Sequence, residues 1–305
     1  MKIDPMLTNV RLAIACGTDP AMVLAVALAS SGAKTASEAF AMLDASRAEI
    51  KKLMAEPDAL KAPAPLEPEL CFEPELARVR LDIADHEVRG KLLFKEILGK
   101  WSFFQTAAFE IAGVELSASD ANLLADVGVL TQLAEPRIWP LTVTRRVAAH
   151  GGGLARSLIA GIASACTKNM AVLPVAGFMR FLDRVDAELS AGRALEEIVA
   201  RMLAGRERIL GVGRPAFGPD ERVPHQLALN ERYGRADGQS LRLAKRLDAL
   251  LQERKGLRVN SAGFHGALMR DLGFSPHAAA AFSMLYFVVP MLAHAVYAEE
   301  RRLNA

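Results

Sequence analysis

The chain lacks the residues that staple or metallate a fold. Its 305 residues include three cysteines, Cys16, Cys71 and Cys166, all far apart, with no C-x-x-C pair and no Cys/His cluster. Neither a disulfide framework nor a metal site is supported. Charge of one sign is also missing. Lys and Arg number 37 against 35 Asp and Glu, and the basic residues are dispersed, which argues against a nucleic-acid surface. The first residues, MKIDPMLTNVR, lack the basic-then-apolar order of a secretory leader. The apolar stretch Phe282 to Ala298 carries His294 and Tyr297 and falls short of the ~20 apolar residues of a membrane span. No P-loop, G-x-S-x-G or G-x-G-x-x-G motif occurs. These absences leave a soluble cytoplasmic protein with no bound metal, no nucleic acid and no membrane.

Alternating strand patterns are scarce as well, with LRV at 257–259 the one short exception. What is present is helical. About half the residues are hydrophobic, enough for a large core in one or two domains, and Ala, Leu, Glu, Arg and Met dominate the periodic segments. Residues 19–54 read as two helices, with Asp19 as a cap and Pro20 at the first helical position. The Pro-rich stretch 56–70, EPDALKAPAPLEPEL, reads as an extended linker. After residue 90 the pattern predicts helices near 91–112, 117–132, 141–165, 171–190, 194–208, 223–233, 238–254, 262–272 and 276–302. Gly and Pro fall at the joints between them. The run His150-Gly151-Gly152-Gly153 is read as such a joint rather than an oxyanion loop. The expectation is an all-α body behind an N-terminal helical extension, residues 1–55.

Two segments carry the chemistry. Gly211 to Arg222 reads GVGRPAFGPDER, and Asn260 to Phe274 reads NSAGFHGALMRDLGF. They resemble the two active-site segments of the citrate synthase and citryl-CoA lyase family, G-F-G-H-P-x-x-x-x-D-P-R and N-x-D-G-A followed by a helix ending E-L-G-F. Weaker matches follow in order from about Arg89 to the C-terminus: RG followed by FKEILGKWSF, LSASDANLLADV, the Arg145–Ser164 run ending AGIAS, and MLAHAVYAEE. The resemblance implies large and small helical domains, residues 71–179 with 259–305 and residues 180–258, around a cleft. It also implies a homodimer, a CoA thioester as substrate or ligand, and no resident cofactor. Residues 1–55 have no counterpart in it. They read as an added helical pair packed on the body or a docking module for a partner protein.

In that family a carboxylate removes a proton beside the thioester, one His stabilises the enolate oxygen and a second His serves as acid or base. Residue by residue, these positions fall here on Ala262, Met170 and Arg214. Alanine cannot take a proton, and arginine stays protonated. Glu135 is the nearest polar residue where the family has a further His, and Phe287 stands where it has a carboxylate-binding Arg. Arg222 is the family residue retained. Candidate substitutes remain. His265, three residues beyond Ala262, lies a turn into the next helix and titrates near neutrality. His225 is a second candidate base. Asn169, neighbour of Met170, offers an amide donor. Arg214 and Arg222, eight residues apart on one Gly- and Pro-rich loop, suit an anion. Two readings stay open: a divergent enzyme acting on a CoA thioester with non-standard residues, or a non-catalytic binding, regulatory or assembly subunit. Ordinary citrate synthesis is not expected, because a tricarboxylate would lie in a cleft stripped of its partners.

Overall fold

The structure is a computed structural model. It describes residues 76–304 apart from 81, 133, 134, 136, 166–171, 206, 207 and 214–218. All of these belong to one compact unit, Pro74–Ala305. The expected extension and linker, residues 1–55 and 56–70, lie outside the described residues.

Eleven α-helices form the described body, so the all-α expectation holds. One local exception opens it: a small antiparallel sheet of β1 (Ala77–Arg80), β2 (Asp85–Val88) and β3 (Lys91–Leu92), with Ala77 opposite Val88 and Glu87 opposite Leu92. Asp85 is buried where this sheet meets a π-helical turn, Leu93–Ile97, and its carboxylate accepts the backbone N–H groups of His86, Phe94 and Lys95. The predicted helix 91–112 is therefore shorter at its start. It becomes α1 (Phe103–Ala112), begun by a reciprocal Ser102–Gln105 capping box and ended by Gly113 in the left-handed region.

The remaining helices follow the predicted joints. They are α2 (Ala118–Leu130), α3 (Trp139–Ala149), α4 (Gly153–Ala165), α5 (Val172–Ser190) and α6 (Leu195–Ala204), then α7 (Arg222–Arg232), α8 (Gln239–Lys255), α9 (Ser261–Asp271), α10 (Pro276–Ser283) and α11 (Leu285–Leu303). The expected helix 141–165 is two helices, α3 and α4, parted at His150–Gly152 with Gly151 at φ 79°. The glycine run is thus a joint.

Helices α3, α4 and α11 pack on one another, while α5 runs along α9 and α10. Two large buried clusters share α5 and α9. In the first, Phe178, Leu182 and Val185 of α5 meet Ile198 of α6, Leu241 and Leu247 of α8 and Phe264 of α9. In the second, Met179 of α5 and Met269 of α9 meet Leu123, Leu124 and Val127 of α2, with Phe282 and Tyr286 from the C-terminal helices. Each fully buried side chain of this kind contributes roughly 1.5–3 kcal/mol. Helix α5 crosses residue 180 unbroken and feeds both clusters.

The C-terminal apolar stretch corrects one expectation. Pro276–Leu303 is long and apolar enough to cross a membrane, with mean hydropathy 1.8, although 44% of that window is buried in the body. It breaks at Met284 into α10 and α11 and supplies Phe282, Tyr286 and Met291 to the core, as a core helix of a globular fold does.

Candidate functional site

The two motif segments, separated by 37 residues, meet in space. Val212 and Val259 form an antiparallel bridge. Around it the Asn260 N–H donates to the Gly211 carbonyl (2.9 Å), the Gly213 N–H donates to the Arg258 carbonyl (2.8 Å), and Asn260 Nδ2 donates to the Gly213 carbonyl (2.6 Å). The approach is close enough to require glycine on both sides. A Cβ on Gly263 would lie 2.6 Å from the Gly211 carbonyl oxygen, and one on Gly211 would lie 3.0 Å from the Gly263 Cα, at a φ of 85°.

This bridge sets the entry of α9. Asn260 is its N-cap, accepting the Gly263 N–H (3.1 Å). Asp220 Oδ2 accepts the N–H of Ser261 (2.9 Å), and the same carboxylate takes Arg222 Nε and Nη2, both at 2.9 Å. Burial alone would raise the Asp220 carboxyl, but these hydrogen bonds and the Arg222 charge overcome it and bring the group down to about 2. Asp220 is buried while the Arg222 side chain stays 37% exposed. Arg258 is fixed in the same manner, paired with Asp248, which also accepts the Val259 N–H (2.8 Å). The strand-like run 258–260 is thus clamped from both ends.

Of the residues singled out from sequence, the structure brings Arg222 to the α9 entry and leaves Ala262 half-buried in the second position of that helix. Arg214, Asn169 and Met170 lie outside the described residues, so the Arg214–Arg222 pairing rests on sequence alone. His225 is exposed on α7; it faces solvent rather than Ala262's buried turn.

His265 corrects the expectation of a relocated base in a cleft. It is 3% exposed. Its Nε2 lies 3.1 Å from Ser283 Oγ, and Nδ1 has no hydrogen-bonding partner among the described residues. Burial pushes its pKa down to about 4. The i, i+3 argument fails because α9 has no outer face over this stretch: residues 261–269 are all buried except Ala262.

Sequence reasoning missed the residues that hold this turn. Asp220 was signalled only as part of a motif match. Gln226, fully buried on α7, spans one turn of α9: its amide oxygen accepts the His265 backbone N–H (3.0 Å) and its nitrogen donates to the Ser261 carbonyl (3.1 Å). Nothing in the local sequence marks it. No group of three or more His, Cys, Asp or Glu side chains suited to a metal occurs among the described residues. The cavity lined by Phe181, Arg184, Val185, Glu188, Arg201, Met202 and Gly205, of about 230 Å³, lies between α5 and α6 and contains none of these site residues.

The architecture defines the class. The body has the citrate synthase-like fold, and solved structures of that fold superpose on most of it. Citryl-CoA lyase from Hydrogenobacter thermophilus matches with a TM-score of 0.65 at 19% identity, over 75% of this chain and 87% of that one. ATP citrate lyase from Methanothrix soehngenii, in complex with citrate and coenzyme A, matches at 0.64 and 19%, over 83% of this chain and 41% of that one. ATP citrate lyase from Methanosaeta concilii, in complex with (3S)-citryl-CoA, matches at 0.62 and 20%, again over 83% and 41%. This chain therefore corresponds to less than half the length of either ATP citrate lyase. At such identities the likeness establishes the fold. No family model matches the sequence, and no curated protein does.

Proposed function

We propose that this protein binds a CoA thioester through the citrate synthase-like fold without the ordinary cleavage or condensation chemistry, and serves as a non-catalytic binding, regulatory or assembly subunit. One observation carries this reading. The frame around the entry of α9 is intact, yet the side chain it presents at the carboxylate position is Ala262, and the nearest titratable group on that helix, His265, is sealed and held neutral. The neighbours support the ligand class, since two of them are bound to coenzyme A or citryl-CoA. Chemistry by substitute groups would have to come from Arg214 or the exposed His225. Arginine is a poor base, so the divergent-enzyme reading is the weaker of the two.

The rest of the reading follows the resemblance. The division into a large domain and a small one at residues 180–258, the cytoplasmic setting and the homodimer belong to it. Exposed apolar side chains on α4 and α11, Ile159, Val289 and Tyr297 among them, suit a helical subunit interface. Calorimetric titration with CoA, acetyl-CoA and citryl-CoA tests the ligand class, and citryl-CoA cleavage followed by CoA release tests the chemistry. Binding without turnover is the expected result. Turnover in the ordinary enzymatic range, ~1–1000 per second, would remove the non-catalytic reading. Absence of any binding would remove the ligand class.

A further inference from the structure

One turn beneath Ala262 the interior holds polar atoms that the fold leaves unmatched. Ser283 donates its hydroxyl proton to the Ala279 carbonyl at 2.7 Å, the shorter of its two contacts. Its oxygen therefore accepts from His265, so Nε2 carries the imidazole proton and Nδ1 carries the lone pair. That Nδ1 is buried with no partner among the described residues, and so is the hydroxyl of Tyr286. The two residues touch: their ring centroids are 5.5 Å apart, inclined at 60°. Tyr286 is held there by Phe104 and Phe282 at 6.2 and 5.9 Å and by Gly128, where a Cβ would come within 2.8 Å of the ring. Each residue is 3% exposed, and a buried polar atom left unpaired costs about 1–3 kcal/mol.

We infer that Tyr286 and His265 form an internal binding site for one small neutral hydrogen-bonding molecule, water in the resting protein, that donates to His265 Nδ1 and bonds the Tyr286 hydroxyl. Both flanking groups are neutral. Burial holds His265 unprotonated and keeps the Tyr286 hydroxyl from ionising. The site therefore has no charge to balance an anion and takes an uncharged guest with both a donor and an acceptor. The inference is independent of the proposed ligand class, since it concerns the core under α9 and no thioester.

Two measurements test it on the full chain. In a high-resolution crystal structure of dialysed protein, a spherical density peak within hydrogen-bonding distance of both atoms is expected. A direct Tyr286–His265 hydrogen bond, or an empty gap, would overturn the inference, and an elongated peak would name a solute in place of water. Tyr286→Phe gives the second readout. If a guest is bound, removing the hydroxyl strands it, and the urea midpoint falls. If the hydroxyl is bare, removing it relieves an unpaired group, and the midpoint rises, which would refute the site. Should Tyr286→Phe fail to fold, ¹⁵N spectra of the native protein decide, because a hydrogen-bonded Nδ1 resonates apart from a bare one and the bare position would refute the site.

Discussion

The first turn of α9 and the turn that follows it are built on opposite principles. At the entry, Asn260, Ser261 and Gly263 have their N–H groups matched by Gly211, Asp220 and the Asn260 side chain, and the buried carboxylate there has a cationic partner in Arg222. One turn on, His265 and Tyr286 are as deeply buried and each leaves a polar atom unmatched among the described residues. The entry is a rigid backbone frame whose side-chain position, Ala262, is empty of function. The following turn keeps polar chemistry but seals it. Under the proposed reading, a rigid frame beside sealed titratable groups suits holding a ligand better than moving protons.

The frame should be the most sensitive part of the molecule. Gly263→Ala places a Cβ 2.6 Å from both the Gly211 carbonyl oxygen and Val259 Cγ1, so backbone has to move. The expected loss is about 3 kcal/mol, at the upper end of overpacking effects, read as a lower urea midpoint at unchanged slope. A neutral outcome would mean the two motif segments are not in contact, and the comparison would lose its first half.

The sealed turn should appear as acid sensitivity. The folded pKa of His265, about 4, lies below its ordinary value of 6.5, so the unfolded chain takes up the proton first. Stability is complete above pH 6.5 and falls as pH drops towards 4, by on the order of 3 kcal/mol at 1.36 kcal/mol per pKa unit. Asp220, depressed from 3.8 to about 2, removes a further contribution only below about pH 4. Unfolding curves of the native protein and His265→Gln between pH 7 and 2 separate the two. The variant should lose the upper slope and keep the lower one. A native protein indifferent to pH from 7 to 5 would show that His265 is reached by solvent.

Asp220→Asn addresses the link between the regions. It keeps an acceptor for the Ser261 N–H but discharges the group that holds Arg222. A hydrogen bond to a charged partner contributes about 1.5–3 kcal/mol, discounted here towards the lower figure because Arg222 is 37% exposed. Thermal denaturation should show the loss, and it should disappear below pH 2, where native Asp220 is itself protonated.

The sequence made the body readable and the site only half so. Glycines and prolines at helix joints and the His150–Gly152 break announced themselves because they act locally. The β1–β2 hairpin did not, since its strands are four residues long and ADHEV carries no clean alternation. That the two motif segments belong to one site was implied by the resemblance, but the bridge between residues 211–213 and 258–260 was not. The fate of His265 was not, because a helical spacing says which residues share a face and nothing about whether that face is open. Here the neighbouring α5, α7, α8 and α10, with Tyr286 of α11, close it, and none of them is written in the sequence of α9.

The smallest expected effect is the most pointed. Ala262→Asp puts a carboxylate back at the position the frame presents. Energetically it should be nearly neutral. A negative charge in the first turn of a helix gains about 0.3–1 kcal/mol from the backbone dipoles, and the Asp220 carboxylate bound to the adjacent Ser261 N–H opposes it by repulsion. Functionally it should also be silent. The other two acting positions remain Met170 and Arg214, and groups that act as a unit restore little when returned singly. The variant should fold with an unchanged midpoint, bind CoA thioesters as the native chain does and release no CoA from citryl-CoA. Measurable cleavage by this single substitution would mean that His265, or another group, already supplies the rest of the machinery. The sealed turn would then be an active site in its closed form, and the contrast between the two turns would have to be read as catalytic preorganisation.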